Sequence, residues 1–302
     1  MAKQQQQKDN TEMRRIAVLG GDRREIPLIE ALLEDFIVAV YGREPVENPA
    51  GVVLCQTAAE ALSGAMGLIL PMPGIDKEGG LFCGPRPRIP IEASVFGLLP
   101  RNAPVLVGAA SSFLKQAAQE YALDLMTMAE TDEVAIPNAI PTAEGAVAIA
   151  IKESDGVLFE SISLVIGYGR VGEALAARLD GLGSKVFIAN RGEARRQKAE
   201  ADEYCTVEWE LWADLLPHAD FIFNTVPAPI IMAEQVKKLK PSALIVDLAS
   251  SPGGTDFEAA KQQGIKAILA SGLPGRFSPR YAGEILAGVY PAILQQKLQN
   301  LE

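Results

Sequence analysis

The chain has 302 residues, 48% of them apolar and 22% charged, with a formal charge of −10 and a single histidine. That length exceeds the roughly 100–200 residues of one domain, so two domains with separate cores are expected. An acidic balance repels a phosphate backbone or an anionic membrane at long range, which makes both poor partners, and an anionic small substrate would need a local cluster of Arg or Lys.

Residues 1–13, MAKQQQQKDNTEM, are polar and aperiodic and predict a solvated tail. They lack the basic, apolar, small-residue order of a signal peptide, and no run reaches the eighteen or so consecutive apolar residues of a spanning helix, so a cytoplasmic protein is expected. From Arg15 onward, short β-branched runs alternate with longer amphipathic ones, the pattern of strands and crossover helices in parallel sheets. Strands are predicted over 16–20, 37–41, 68–70, 105–108 and 123–126, with helices over 24–34, 58–62, 92–98 and 113–121. Residues 71–90, PMPGIDKEGGLFCGPRPRIP, carry too much Gly and Pro for regular structure and predict a long loop. A helix is predicted from Pro141 to about Lys152, with the domain junction at its start, giving domains over 14–140 and 141–302. In the second half, strands are predicted over 163–166, 185–189, 221–225, 244–247 and 265–269. A last helix over 279–299 is expected to pack back on the first domain. The fold class is α/β: two doubly wound, parallel-sheet, Rossmann-like domains with an interdomain cleft, the first (Rossmann-like or flavodoxin-like) taking the substrate and the second the dinucleotide. Cys55, Cys83 and Cys205 are odd in number and far apart, which predicts free thiols and no metal site.

The segment Gly167, Tyr168, Gly169, Arg170, Val171, Gly172 fits GxGxxG. It follows an apolar strand and opens a helix, the context in which the pattern binds a diphosphate. The first glycine permits the turn, the second lets backbone approach the pyrophosphate, and the third lets helix and strand pack closely. The next strand ends at Asn190 and Arg191, where an NAD enzyme places an acid on the ribose hydroxyls; a neutral residue followed by Arg191, Arg195 and Arg196 favours NADP, with NAD still possible. Thr225, Val226 and Pro227, then Asp247, Ala249 and Ser250, then Gly272 and Leu273, follow later strands at the edge where open α/β sheets bind ligands, and complete the expected cofactor set.

Arg276 and Arg280 are the first candidates for a substrate carboxylate, with Asn138 and Thr142 beside them in the expected substrate set. Ser111 and Ser112 precede a helix, where serine is a common N-cap; a hydroxyl offered to a ligand is the alternative. Glu144 lies in a predicted first helical turn, where the macrodipole stabilises it, or it serves as general base. These three form the catalytic candidates. His218 directly precedes a strand, on the rim opposite the expected site, which argues against proton transfer.

The runs NAIPTAEGA (138–146), GYGRVG (167–172) and GLPGRFSPRYAGEIL (272–286), with IAVLGGDRRE near the start, together resemble the dipicolinate synthase family of spore-forming bacteria, in its dinucleotide-binding A component. That resemblance spans the chain after the tail. It implies NAD(P)-linked oxidation of a dihydrodipicolinate, a branch from the lysine pathway, to pyridine-2,6-dicarboxylate during sporulation. It further implies that the partner is a flavoprotein-like B subunit, and that the location is the cytoplasm of the mother cell; a homo-oligomer is also expected. Alternatives are another two-domain NADP-dependent dehydrogenase, of the methylenetetrahydrofolate or 2-hydroxyacid type, and a dinucleotide-sensing regulatory component without turnover. The loop Pro274 to Pro279 is similar to one in the methylenetetrahydrofolate enzymes, but no tyrosine here has a lysine four positions later.

Overall fold

The computed structural model describes residues 13–43 and 48–301, so the expected tail falls almost wholly outside the described residues. The chain divides into two compact units, one formed by residues up to Ala135 together with those from Pro279 onward, the other by Ile136–Ser278.

In the first unit the elements run β1 (Arg15–Leu19), α1 (Glu25–Leu32), β2 (Ile37–Tyr41), β3 (Val53–Leu54), α2 (Ala58–Leu62) and β4 (Gly67–Ile69). A small hairpin, β5 (Gly80–Leu81) and β6 (Ile89–Pro90), comes next, then β7 (Pro104–Val107), α3 (Ser112–Glu120) and β8 (Asp124–Thr127). The strands β3-β2-β1-β4-β7-β8 form one parallel sheet, doubly wound about β1. Its inner strands are near-continuous apolar runs because both faces are covered.

The chain then enters α4 (Asp132–Glu153), followed by β9 (Ile162–Ile166), α5 (Arg170–Gly181), β10 (Lys185–Ala189), α6 (Glu193–Ala201) and β11 (Cys205–Val207). After these come β12 (Phe221–Asn224), α7 (Ala233–Val236), β13 (Leu244–Asp247), α8 (Phe257–Gln262), β14 (Lys266–Leu269), α9 (Leu273–Phe277) and α10 (Pro279–Gln299). The second sheet, β11-β10-β9-β12-β13-β14, repeats the order of the first.

Helix α10 returns to the first unit. Its Ile285, Leu286, Tyr290, Leu294 and Leu298 are buried with Leu28, Ile29 and Leu32 of α1 over one face of the sheet. Gly283 makes the approach possible, since a Cβ there would run into the Arg24 carbonyl.

Two expectations are corrected. The helix expected to begin at Pro141 begins at Asp132 and contains both Pro137 and Pro141. Each proline removes one main-chain donor, but the two are four residues apart, so the missing bonds fall on one side and the helix continues. It is also the one helix among the described residues long and apolar enough to cross a membrane by length and composition, with half of its apolar window buried. The second correction concerns residues 71–90, which contain a hairpin: Gly80 pairs with Pro90 and Leu81 with Ile89.

Candidate dinucleotide site

At the end of β9 the chain turns at Gly167, whose φ of 95° is a left-handed conformation and whose missing Cβ makes room for the Thr225 hydroxyl and for Val226. The Thr225 Oγ1 donates to the Ile166 carbonyl at 3.0 Å, so the loop after β12 is seated directly on the turn. Gly172, two residues into α5, lies under the Gly167 carbonyl, with no space for a side chain. The helix therefore starts as close to the strand as backbone permits. Its first N–H groups have no partner within the helix and carry the positive end of its dipole.

Tyr168 is 1% exposed and its side chain belongs to the core behind the turn. Its hydroxyl donates to Asp202 at 2.7 Å; burial, and then that carboxylate, push the phenol above its usual range. Both polar groups of its peptide are taken. The N–H donates to Asn190 Oδ1 at 3.1 Å, and the carbonyl accepts from Arg195 Nη1 at 2.8 Å. A Cβ on Gly169 would come within 2.7 Å of that same Arg195 nitrogen, so the guanidinium lies over the second glycine of the turn.

The basic group after β10 is thus partly spent on its own scaffold. Asn190 uses its other amide atom on the Gly192 carbonyl at 3.0 Å, so both ends of its side chain are held by backbone. Arg196 binds the Asn190 and Arg191 carbonyls at 3.0 and 3.2 Å and pairs with Glu208. Arg191 is exposed and makes no side-chain bond among the described residues.

Asp247 is fully buried at the end of β13. Its carboxylate accepts from Asn224 Nδ2 at 3.0 Å, the Ala249 N–H at 3.0 Å, the Gly254 N–H at 2.8 Å and the Thr255 hydroxyl at 2.6 Å. It shapes the loop that presents exposed Ser250, with Ala249 buried beside it. Asn224, absent from the expected set, is the other half of this brace: its Oδ1 accepts the Val226 N–H at 3.0 Å. An amide at a strand end next to a proline loop was the only sequence signal for it. Pro227 is exposed in that loop, Gly272 caps α9 in a left-handed conformation, and Leu273 is buried against Gly145.

The remaining candidates fall as follows. Arg276 is exposed on α9, with its guanidinium 5.6 Å from the Phe277 ring centre. Arg280 stands in the first unit, bonded to Glu284 at 2.9 Å in a cavity of about 510 Å³ that Arg23 and Glu30 also line. Thr142 donates its hydroxyl hydrogen to the Asn138 carbonyl at 2.8 Å, a bond within α4. Glu144 is exposed and pairs with Arg178 at 3.5 Å, in a groove with Gly181 and Leu182 toward the end of α5 opposite the glycine turn. Ser111 caps α3: its Oγ accepts the Leu114 N–H at 3.3 Å and donates to the Asp76 carbonyl at 3.2 Å, and capping is the role the geometry gives it. Ser112 is exposed in the first turn of that helix. His218 is exposed just before β12, on the amino-terminal rim.

A doubly wound sheet with this turn at its first crossover defines a nicotinamide-dinucleotide-binding protein of the dehydrogenase type. Residues 152–252 match the D-isomer specific 2-hydroxyacid dehydrogenase NAD binding domain, and residues 15–129 match the N-terminal domain of the dipicolinate synthase A component. The dipicolinate synthase A component of Bacillus subtilis (strain 168) is 30% identical over 93% of this chain and 96% of its own length. The solved structure of its counterpart from Bacillus halodurans superposes with a TM-score of 0.87 at 29% identity, covering 93% of this chain and 97% of that one. That of the dipicolinate synthase A chain from Bacillus subtilis gives 0.85 at 31%, covering 96% and 98%. The chain belongs to the dipicolinate synthase family, as an A component.

Proposed function

We propose that this protein oxidises a dihydrodipicolinate to pyridine-2,6-dicarboxylate with NADP as the hydride acceptor. The observation that carries the reading is the glycine turn at 167–172 at the head of α5, with Arg191 two residues beyond β10, unpaired among the described residues, and no carboxylate at the ribose position. A guanidinium binds a 2′-phosphate bidentately, and the neutral Asn190 amide, held on the Tyr168 N–H and the Gly192 carbonyl, offers no charge that would repel it.

A nicotinamide bound there would supply the acceptor for a hydride from the ring. The ring also loses a proton to solvent and becomes aromatic, so product stability drives the step and the protein's share is positioning. The N–H groups at the start of α5 hold the diphosphate, and the Thr225–Val226 loop limits where the dinucleotide can lie. Arg276, free of ion pairs among the described residues, takes one substrate carboxylate. Family membership supports partnership with a flavoprotein-like B subunit, and action in the mother-cell cytoplasm of a sporulating bacterium.

The test is an assay of this chain, alone and with the B subunit, on dihydrodipicolinate generated in place, following reduced-nicotinamide absorbance. Turnover with NADP supports the reading. Absence of turnover in both arrangements, with either dinucleotide, overturns it.

A further inference from the structure

The two units share more than a strand order. Counted from the last residue of the first strand, Gly20-Gly21-Asp22-Arg23-Arg24-Glu25 stands where Gly167-Tyr168-Gly169-Arg170-Val171-Gly172 stands in the second unit. The Gly20 N–H bonds to the Tyr41 carbonyl and the Gly167 N–H to the Ala189 carbonyl, both at 2.8 Å and both to the last residue of the neighbouring strand. Two residues beyond that strand lies an arginine in each case, Arg43 and Arg191.

The difference is at the sixth position. Gly172 has no side chain, whereas Glu25 folds its carboxylate back over Gly21, which is left-handed at a φ of 101° and has no room for a Cβ beside it. Its Oε2 accepts the Asp22 N–H at 2.6 Å, and the Phe82 carbonyl of the hairpin loop accepts the Gly21 N–H at 2.8 Å. Arg43 is drawn inside, 2% exposed, with Nη1 at 3.4 Å from Glu25 Oε2 and Nε donating to Asn48 at 2.8 Å. Among the described residues, one nitrogen of Arg43, Nη2, and one oxygen of Glu25, Oε1, are buried without a hydrogen-bond partner. Because Glu25 carries a Cβ, the helix cannot close under the first glycine. Helix α1 accordingly starts at the sixth position of its turn, whereas α5 starts at the fourth.

We infer that the first unit holds a second cradle of the dinucleotide type, closed from within: the Glu25 carboxylate occupies the anion position and Arg43 is its counter-cation. The chain therefore takes one dinucleotide, in the second unit. Removing the carboxylate uncovers a site for a small anion, of the formate or phosphate class, in the first.

Two measurements test this. Calorimetric titration of the wild-type chain with NADPH should give one site per chain; two would overturn the closed cradle. Glu25→Ala should lower the thermal midpoint by several degrees, and formate should restore most of the loss saturably, while Glu25→Gln, which refills the space, should not respond to formate beyond the wild type. An equal response of all three proteins at matched ionic strength would reduce the effect to general salt and overturn the anion site. Should Glu25→Ala not accumulate as folded protein, Glu25→Ser takes its place in the formate arm, with the same expected and overturning results. The formate arm involves no dinucleotide, so its result is separate from the cofactor reading of the second unit.

Discussion

Asn190 accepts the Tyr168 N–H at 3.1 Å and returns an amide hydrogen to the Gly192 carbonyl at 3.0 Å, so the residue at the ribose position is a brace for the glycine turn. An aspartate there keeps the first bond and loses the second, because a carboxylate oxygen is repelled by a carbonyl. Asn190→Asp should turn that oxygen outward, strengthening NADH and weakening NADPH by about tenfold each, or roughly 1.4 kcal/mol. Fluorescence titration with the two reduced cofactors checks it; unchanged preference refutes it.

Arg191 and Arg195 should separate in the same titration. Arg191 has no other duty among the described residues, so Arg191→Ala should weaken NADPH by about 10–100-fold and leave NADH nearly unchanged. Arg195 holds the Tyr168 carbonyl, and Arg195→Ala should weaken both cofactors.

Gly172→Ala places a methyl group against the Gly167 carbonyl. Forcing the helix from the strand should cost about 1–3 kcal/mol and abolish dinucleotide binding, read as a lower denaturant midpoint with no calorimetric signal from NADPH.

Asp247→Ala strands four donors at once, those of Asn224, Ala249, Gly254 and Thr255. A loss of roughly 3–5 kcal/mol in equilibrium unfolding is expected, because buried groups left without partners keep their full desolvation penalty. A loss confined to cofactor affinity, with stability intact, would instead make Asp247 a ligand.

Burial pushes the Glu25 carboxyl above its ordinary range, against the opposing cations Arg24 and Arg43. The folded chain then holds this proton more tightly than the unfolded chain. Lowering the pH from above the raised value toward the ordinary carboxylate range should add stability through this group. Wild type should gain on Glu25→Gln as the pH falls across that window; a flat or opposite difference in thermal midpoints would count against it.

The second sheet was legible because its inner strands each carry at least three consecutive apolar residues, as at Leu244, Ile245 and Val246 of β13, bounded by turn residues. Strands β3 and β11, of two and three residues at the sheet edges, carry too little pattern to stand out. The start of helix α4 is hidden in the sequence because proline usually marks a helix start, and nothing local tells that two prolines four residues apart will be tolerated inside one. The cofactor turn was readable as a motif, but the employment of its neighbours was not. Asp247 looks like a ligand in sequence and is a brace in the structure, while Asn224 is its partner from the adjacent strand.

By itself the sequence determined the two sheets, the glycine turn and the basic character of the strand end beside it, because periodicity and glycine spacing are local properties of the chain. Only the tertiary structure decided which of those groups remain free for a ligand. The Phe82 carbonyl on Gly21 and the Asp202 carboxylate on Tyr168 are contacts between distant segments. A buried donor or acceptor is satisfied by whichever partner the fold brings to it, and no residue's neighbours in sequence announce that choice.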